Sequence, residues 1–191
     1  MKIAFAIALI TALSTTEIDR AQQVARSRDG ERAQFHKKYL VNLAGDTVTQ
    51  IEVVTEFRRL VMITEDHIRA GDQMFSRGTR AAEAAMAKTR GVLTLKALVR
   101  FNPLNTYADV PPLRLTLGTA ATPLVELDTQ VTGQSSVPFK IGGGRTATIL
   151  TGAVLQADFP ASRVAQTTQL IGVVLDGKEL ARTSIDFARL D

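Results

Sequence analysis

The chain has no cysteine and no tryptophan, and only two histidines and two tyrosines among 191 residues. Without cysteine there is no disulfide framework, no thiol nucleophile and no cysteine-held zinc, and nothing follows the N-terminal apolar run that a lipid could be attached to. With two histidines, a Ser-His-Asp triad would have to use His36 or His67. No apolar run approaches the roughly 18–20 residues of a membrane-spanning helix, so no span is expected in the mature chain. No repeat and no low-complexity tract interrupts the sequence.

The composition is that of a folded protein. Hydrophobic residues make up 45% and charged residues 22%, which excludes a wholly disordered chain. The length allows one domain, or one with an appendage, burying roughly 70% of its unfolded surface. The net charge of +4 is partly local, gathered in Arg20, Arg26, Arg28, Arg32, Lys37 and Lys38. Phe35 and Tyr39 are too few aromatics there for a base-stacking platform. The run reads as a solvated helix face, and no nucleic-acid partner is expected.

The first 14 residues have the order of a secretory signal peptide. Lys2 supplies the positive start, Ile3 to Leu13 an 11-residue apolar core, and Ala12 and Ser14 the small residues before a cut after Ser14. The alternatives are a buried N-terminal element and an uncleaved anchor. On the export reading the protein is periplasmic or secreted.

Two further parts follow, residues 15–90 helical or mixed and residues 91–191 β-rich, expected to share one core. Thr16 reads as a helix cap, and Asp29-Gly30 as a break between two short helices. Residues 47–54 are β-branched and read as a strand. Phe57, Leu60, Val61, Thr64 and Ile68 fall on one face of a helix over 56–70, closed by Gly71. Residues 79–88 form an alanine-rich helix whose short side chains suit close packing.

From Gly91 the pattern turns to strands over 92–101, 114–117, 124–132 and 146–159, the last bulged at Gly152. Two more, 169–175 and 180–187, flank Asp176-Gly177, a hairpin signal. The fold class is α+β, with N-terminal helices and a strand followed by an antiparallel β-sandwich, an immunoglobulin-like one being an option.

No motif singles out a catalytic residue, a metal site or a cofactor. Ser135 and Ser136 lack the Gly-x-Ser-x-Gly elbow. His67 lies among Glu65, Asp66 and Asp72 at spacings that scatter their side chains around a helix, which reads as a solvated helix end. Gly142-Gly143-Gly144-Arg145 lacks the ending of a phosphate loop and reads as a turn, with Arg145 a candidate contact.

The loop after residue 100 combines Arg100, Asn102, Asn105, Tyr107 and Asp109, the polar and amphipathic residues of a recognition loop. A purely structural turn is the competing reading, with Asn-Pro initiating it and Tyr107 packing down. The expected function is therefore an exported, non-enzymatic binding or assembly module of the cell envelope. It would take a protein or envelope component on loops displayed by a sandwich. The alternatives are a carboxylate-based hydrolase, and an envelope-complex subunit pairing through a sheet edge.

Overall fold

In a computed structural model, residues 13–105, 107–140, 143, 146–164 and 167–190 are described. The predicted leader and Arg145 therefore lie outside the described residues, apart from Leu13 and Ser14.

Helix α1 (Thr15–Ala25) starts on Ser14, not Thr16. A capping box needs an acid three residues after the cap, and Glu17 selects Ser14. The Ser14 hydroxyl accepts from the Glu17 amide at 3.3 Å, while the Glu17 carboxylate accepts from the Ser14 amide and hydroxyl, each at 2.7 Å. Leu13 packs against the helical core, so a cut after Ser14 would strip both residues from the helix start. Those bonds, the Ser14 hydroxyl first, hold the Glu17 carboxyl below its ordinary value.

Ser14→Ala should cost about 1 kcal/mol at neutral pH. A depressed carboxyl stabilises the fold above its unfolded value and loses that effect as pH falls through the folded one. The gap between wild type and variant should therefore narrow below about pH 4, as read from denaturant melts across pH.

The chain turns at residues 26–28, and Asp29-Gly30, the expected break, instead opens helix α2 (Asp29–Lys37). Two strands follow, β1 (Leu40–Asn42) and β2 (Val48–Val54), paired antiparallel. Thr55 caps helix α3 (Glu56–Arg69), its hydroxyl accepting from the Arg58 amide at 3.2 Å. The predicted face of α3 is buried from Phe57 through Thr64, and Gly71, at φ +85°, follows its end. Of the alanines in helix α4 (Thr79–Met86) only Ala82 is buried, so close packing there is confined to one position.

The β-rich part comprises β3 (Val92–Arg100), β4 (Leu113–Thr119), β5 (Thr122–Glu126), β6 (Gln130–Ser135), β7 (Phe139–Lys140), β8 (Thr146–Ala147), β9 (Leu150–Pro160), β10 (Thr168–Leu175) and β11 (Lys178–Asp186). One sheet has the order β1-β2-β3-β9-β6, the other β11-β10-β4-β5, with β7 and β8 a separate pair. All neighbours are antiparallel. Ile51, Leu95, Val99 and Leu155 of the first sheet join Leu113, Leu115, Ile171 and Val173 of the second in one apolar cluster. The α+β class with antiparallel sheets is as expected, and β2 belongs to the first sheet, beside β3.

Two predicted strands are each divided in two. Residues 124–132 alternate throughout, yet β5 and β6 lie in different sheets. The chain crosses over at Leu127, which is buried and donates its amide to Leu115 O at 2.8 Å. Residues 146–159 break between β8 and β9. The expected irregularity beside Gly152 is present, since Gln134 pairs with Gly152 and Ser135 with Leu150, leaving Thr151 extra. The Asp176-Gly177 turn joins β10 to β11, both residues at positive φ, 48° and 75°.

Thr116 of β4 is 4% exposed, and its hydroxyl is buried with no partner among the described residues. Valine has nearly its shape and no hydroxyl to desolvate. Thr116→Val should raise stability by about 1 kcal/mol, and a loss of similar size in urea melts would mean that the hydroxyl is used.

The helices bury a second apolar cluster around Ile18, Phe35, Tyr39, Phe57 and Leu60, with Leu190 packed against both clusters. Two adjacent arginines of α3 tie the helices to the first sheet. The buried Arg58 donates to Val53 O at 2.5 Å and to Glu52 Oε1 at 2.6 Å, and lies over the Tyr39 ring. Arg59 donates to Val92 O at 2.9 Å and to Thr94 Oγ1 at 2.7 Å. Burial pushes both guanidinium groups below their ordinary values, and Glu52 opposes this at Arg58 as Asp158 does at Arg59. No helix among the described residues is long and apolar enough to cross a membrane.

Candidate functional site

The loop between β3 and β4 is shaped by its two asparagines. Asn102 Oδ1 accepts from the Leu104 amide at 2.8 Å. Asn105 Nδ2 donates to Asn102 O at 2.7 Å and across to Leu150 O at 2.9 Å, while its Oδ1 accepts from the Tyr107 amide at 3.1 Å. Both side chains therefore build the loop, as the structural-turn reading expects. Phe101 anchors its start through its amide to Thr151 O at 2.9 Å. The Tyr107 ring meets Phe101 edge-on, with centroids 5.2 Å apart.

Beneath the loop is a recess of about 230 Å³. Arg100, Asn102, Asn105 and Tyr107 come together around it, and Asp109 is exposed outside its lining. Sequence reasoning missed the remaining lining: Thr47, Val99, Phe101, Leu113, Leu175 and Leu180. The only local signal was the Asp176-Gly177 turn, which brings Leu175 and Leu180 to the same end. Among the described residues, no carboxylate and no imidazole lines the recess.

Exposed apolar side chains occur on the loop and on the segments bonded to it or to its neighbours. Leu104 is 88% exposed and Val137 84%, with Tyr107 and Ile149 partly covered. These belong to one end of the molecule, because Ser136 and Ile149 hydrogen-bond each other and Asn105 reaches Leu150. Among the described residues, Arg100 has no ion pair.

The histidines lie elsewhere. His36 Nε2 is 3.0 Å from Glu65 Oε1, and Arg58 Nε donates to His36 Nδ1 at 3.4 Å. That donation fixes the tautomer, leaving the Nε2 proton for Glu65. The polar atoms of this group point at one another and join α2 to α3. His67 Nδ1 is 3.0 Å from Asp72 Oδ2, and its ring stacks on Phe75 at 3.8 Å. The pair and the stack sit on a helix end whose Asp66, Arg69 and Asp72 remain exposed, in keeping with a solvated end. The Asp72 carboxyl is held below its ordinary value first by the Phe75 amide, then by His67. Among the described residues, no three acids and histidines are grouped to hold a metal.

No family model and no curated protein matches the chain. It is similar in structure to a crystallised protein of unknown function from Burkholderia pseudomallei. The two are 12% identical, and the alignment covers 96% of this chain and 94% of the other at a TM-score of 0.40.

Proposed function

We propose that the protein is an exported, non-enzymatic binding or assembly module of the cell envelope. It engages a protein or other envelope component through the loop end of its sandwich. The observation that carries this reading is the recess under the 100–109 loop, lined in part by the exposed Tyr107, with Leu104 exposed on the same loop. Grouped exposed apolar side chains mark interaction surfaces. A lining without carboxylate or imidazole supports binding over acid–base hydrolysis. The leader-like order of residues 1–14 supports export.

A photo-crosslinking residue at position 104 should give a discrete adduct in envelope extract. The same residue at Glu83, exposed on α4, should not. Equal labelling from both positions, or none, would sink the reading.

A second reading, assembly through a sheet edge, is favoured by β6. It is an edge strand of six residues with no charge and no proline, and charges and prolines are the usual means of blunting an edge. Self-association through β6 should appear as a concentration-dependent mass in sedimentation, abolished by Thr132→Lys. A monomer at high concentration counts against it.

A further inference from the structure

We infer that the recess is a site for a small apolar carboxylate. The inference rests on the reading that this end of the sandwich is the binding end, and it adds the chemistry of a ligand. The floor is apolar, formed by Val99, Leu113, Leu175 and Leu180 with the Phe101 ring. It therefore takes the hydrocarbon part of a ligand.

The free polar groups above that floor all have a proton to donate. Asn105 is committed to the backbone of the loop and of β9, and Asn102 Oδ1 to the Leu104 amide. What is left among the lining residues is the guanidinium of Arg100, the side-chain amide N–H group of Asn102 and the hydroxyls of Tyr107 and Thr47, which among the described residues have no hydrogen-bond partner. All of these can donate protons, the guanidinium and amide N–H groups only donate, and Arg100 adds a positive charge that forms no ion pair with a carboxylate of the described chain. Glu179, on the adjoining hairpin, is held by Arg182. Donors with a free cation above an apolar floor are complementary to an anion with an apolar body, and a planar guanidinium matches a carboxylate in two parallel bonds.

The volume sets the size. A recess of about 230 Å³ equals roughly eight water molecules' share of the liquid. It suits an acid of about ten non-hydrogen atoms and falls below the range of drug-sized ligands.

The test is a titration of the purified full chain with octanoate, followed by amide NMR. Octan-1-ol and octylamine serve as matched neutral and cationic probes. Octanoate should give saturable shifts at Phe101, Tyr107 and Leu175. Octan-1-ol should bind about tenfold more weakly, the worth of one charged hydrogen bond, and octylamine more weakly still. Arg100→Gln, at an exposed position, should lower octanoate affinity by a similar factor and leave octan-1-ol unchanged. Arg114→Gln, exposed on β4 and outside the lining, should change neither.

Equal affinity for octanoate and octan-1-ol overturns the inference, as do shifts centred elsewhere or no saturable shift. The position-104 crosslink is read separately. An adduct there without octanoate binding leaves the partner reading standing and removes only this one.

Discussion

Replacing Arg58 with alanine should remove about 3 kcal/mol of folding stability, the largest loss expected from any single side chain that joins the helices to the sheets. Arg58 is 3% exposed and donates to the Val53 carbonyl and the Glu52 carboxylate. Truncation leaves that carbonyl without its partner and opens a void under the Tyr39 ring. Each loss costs on the order of 1–3 kcal/mol. The total is held toward the lower end because Glu52, at 22% side-chain exposure, regains water.

Arg58→Lys should recover less than half of the loss, because one ammonium cannot reach two acceptors in the directions a planar fork does. Arg58→Met separates packing from charge by keeping most of the stem. Urea melts give the stabilities. Hydrogen exchange should show α2 and α3 deprotected before β3 and β9 in the alanine variant. A loss below about 1 kcal/mol would place the join elsewhere, with Arg59 the next candidate.

Gly152→Ala should be comparably damaging for a different reason. A Cβ at this position would lie 2.3 Å from Val99 O, at the last pair of the β3–β9 ladder, where Gly152 faces Arg100. The Cβ is fixed to one paired strand and the carbonyl belongs to the other, so neither can swing away as a flexible side chain could. Overpacking of this kind costs typically about 1–3 kcal/mol, and occasionally more.

The effect should also be directional. Thr151 and Leu150, next to Gly152, accept the Phe101 amide and the Asn105 side chain. Displacing β9 from β3 therefore loosens the 100–109 loop. Exchange at the Phe101 amide should rise more than exchange at Ile171 in the second sheet. Uniform exchange, or an unchanged melt, would mean that the strand absorbs the methyl group.

The elements that could be read from the sequence are those whose signal is local. Asp176-Gly177 had to be a tight turn because both positions need positive φ. The helix over 56–69 followed from the spacing of Phe57, Leu60, Val61 and Thr64. Boundaries that depend on distant partners were not legible. Residues 124–132 keep one alternation across a change of sheet, and only the Leu115 carbonyl, which receives the Leu127 amide, reveals the corner. Strand β1 has three residues and exists through its pairing with β2.

The site divides in the same way. Most of its polar rim, Arg100, Asn102, Asn105 and Tyr107, comes from one short loop and stood out by residue type, whereas Thr47 did not. Its floor comes from β3, β4, β10 and β11, which only the fold brings together. Sequence also could not separate polar groups that build the loop, as Asn102 and Asn105 do, from those left facing outward.

Those two asparagines bear on the kinetics of recognition. A loop already fixed by its own side chains has little conformational entropy left to lose when something docks on it. Complexes formed at this end should therefore assemble in one step, without a slow rearrangement, and differences in affinity between ligands should lie mainly in how long each stays bound.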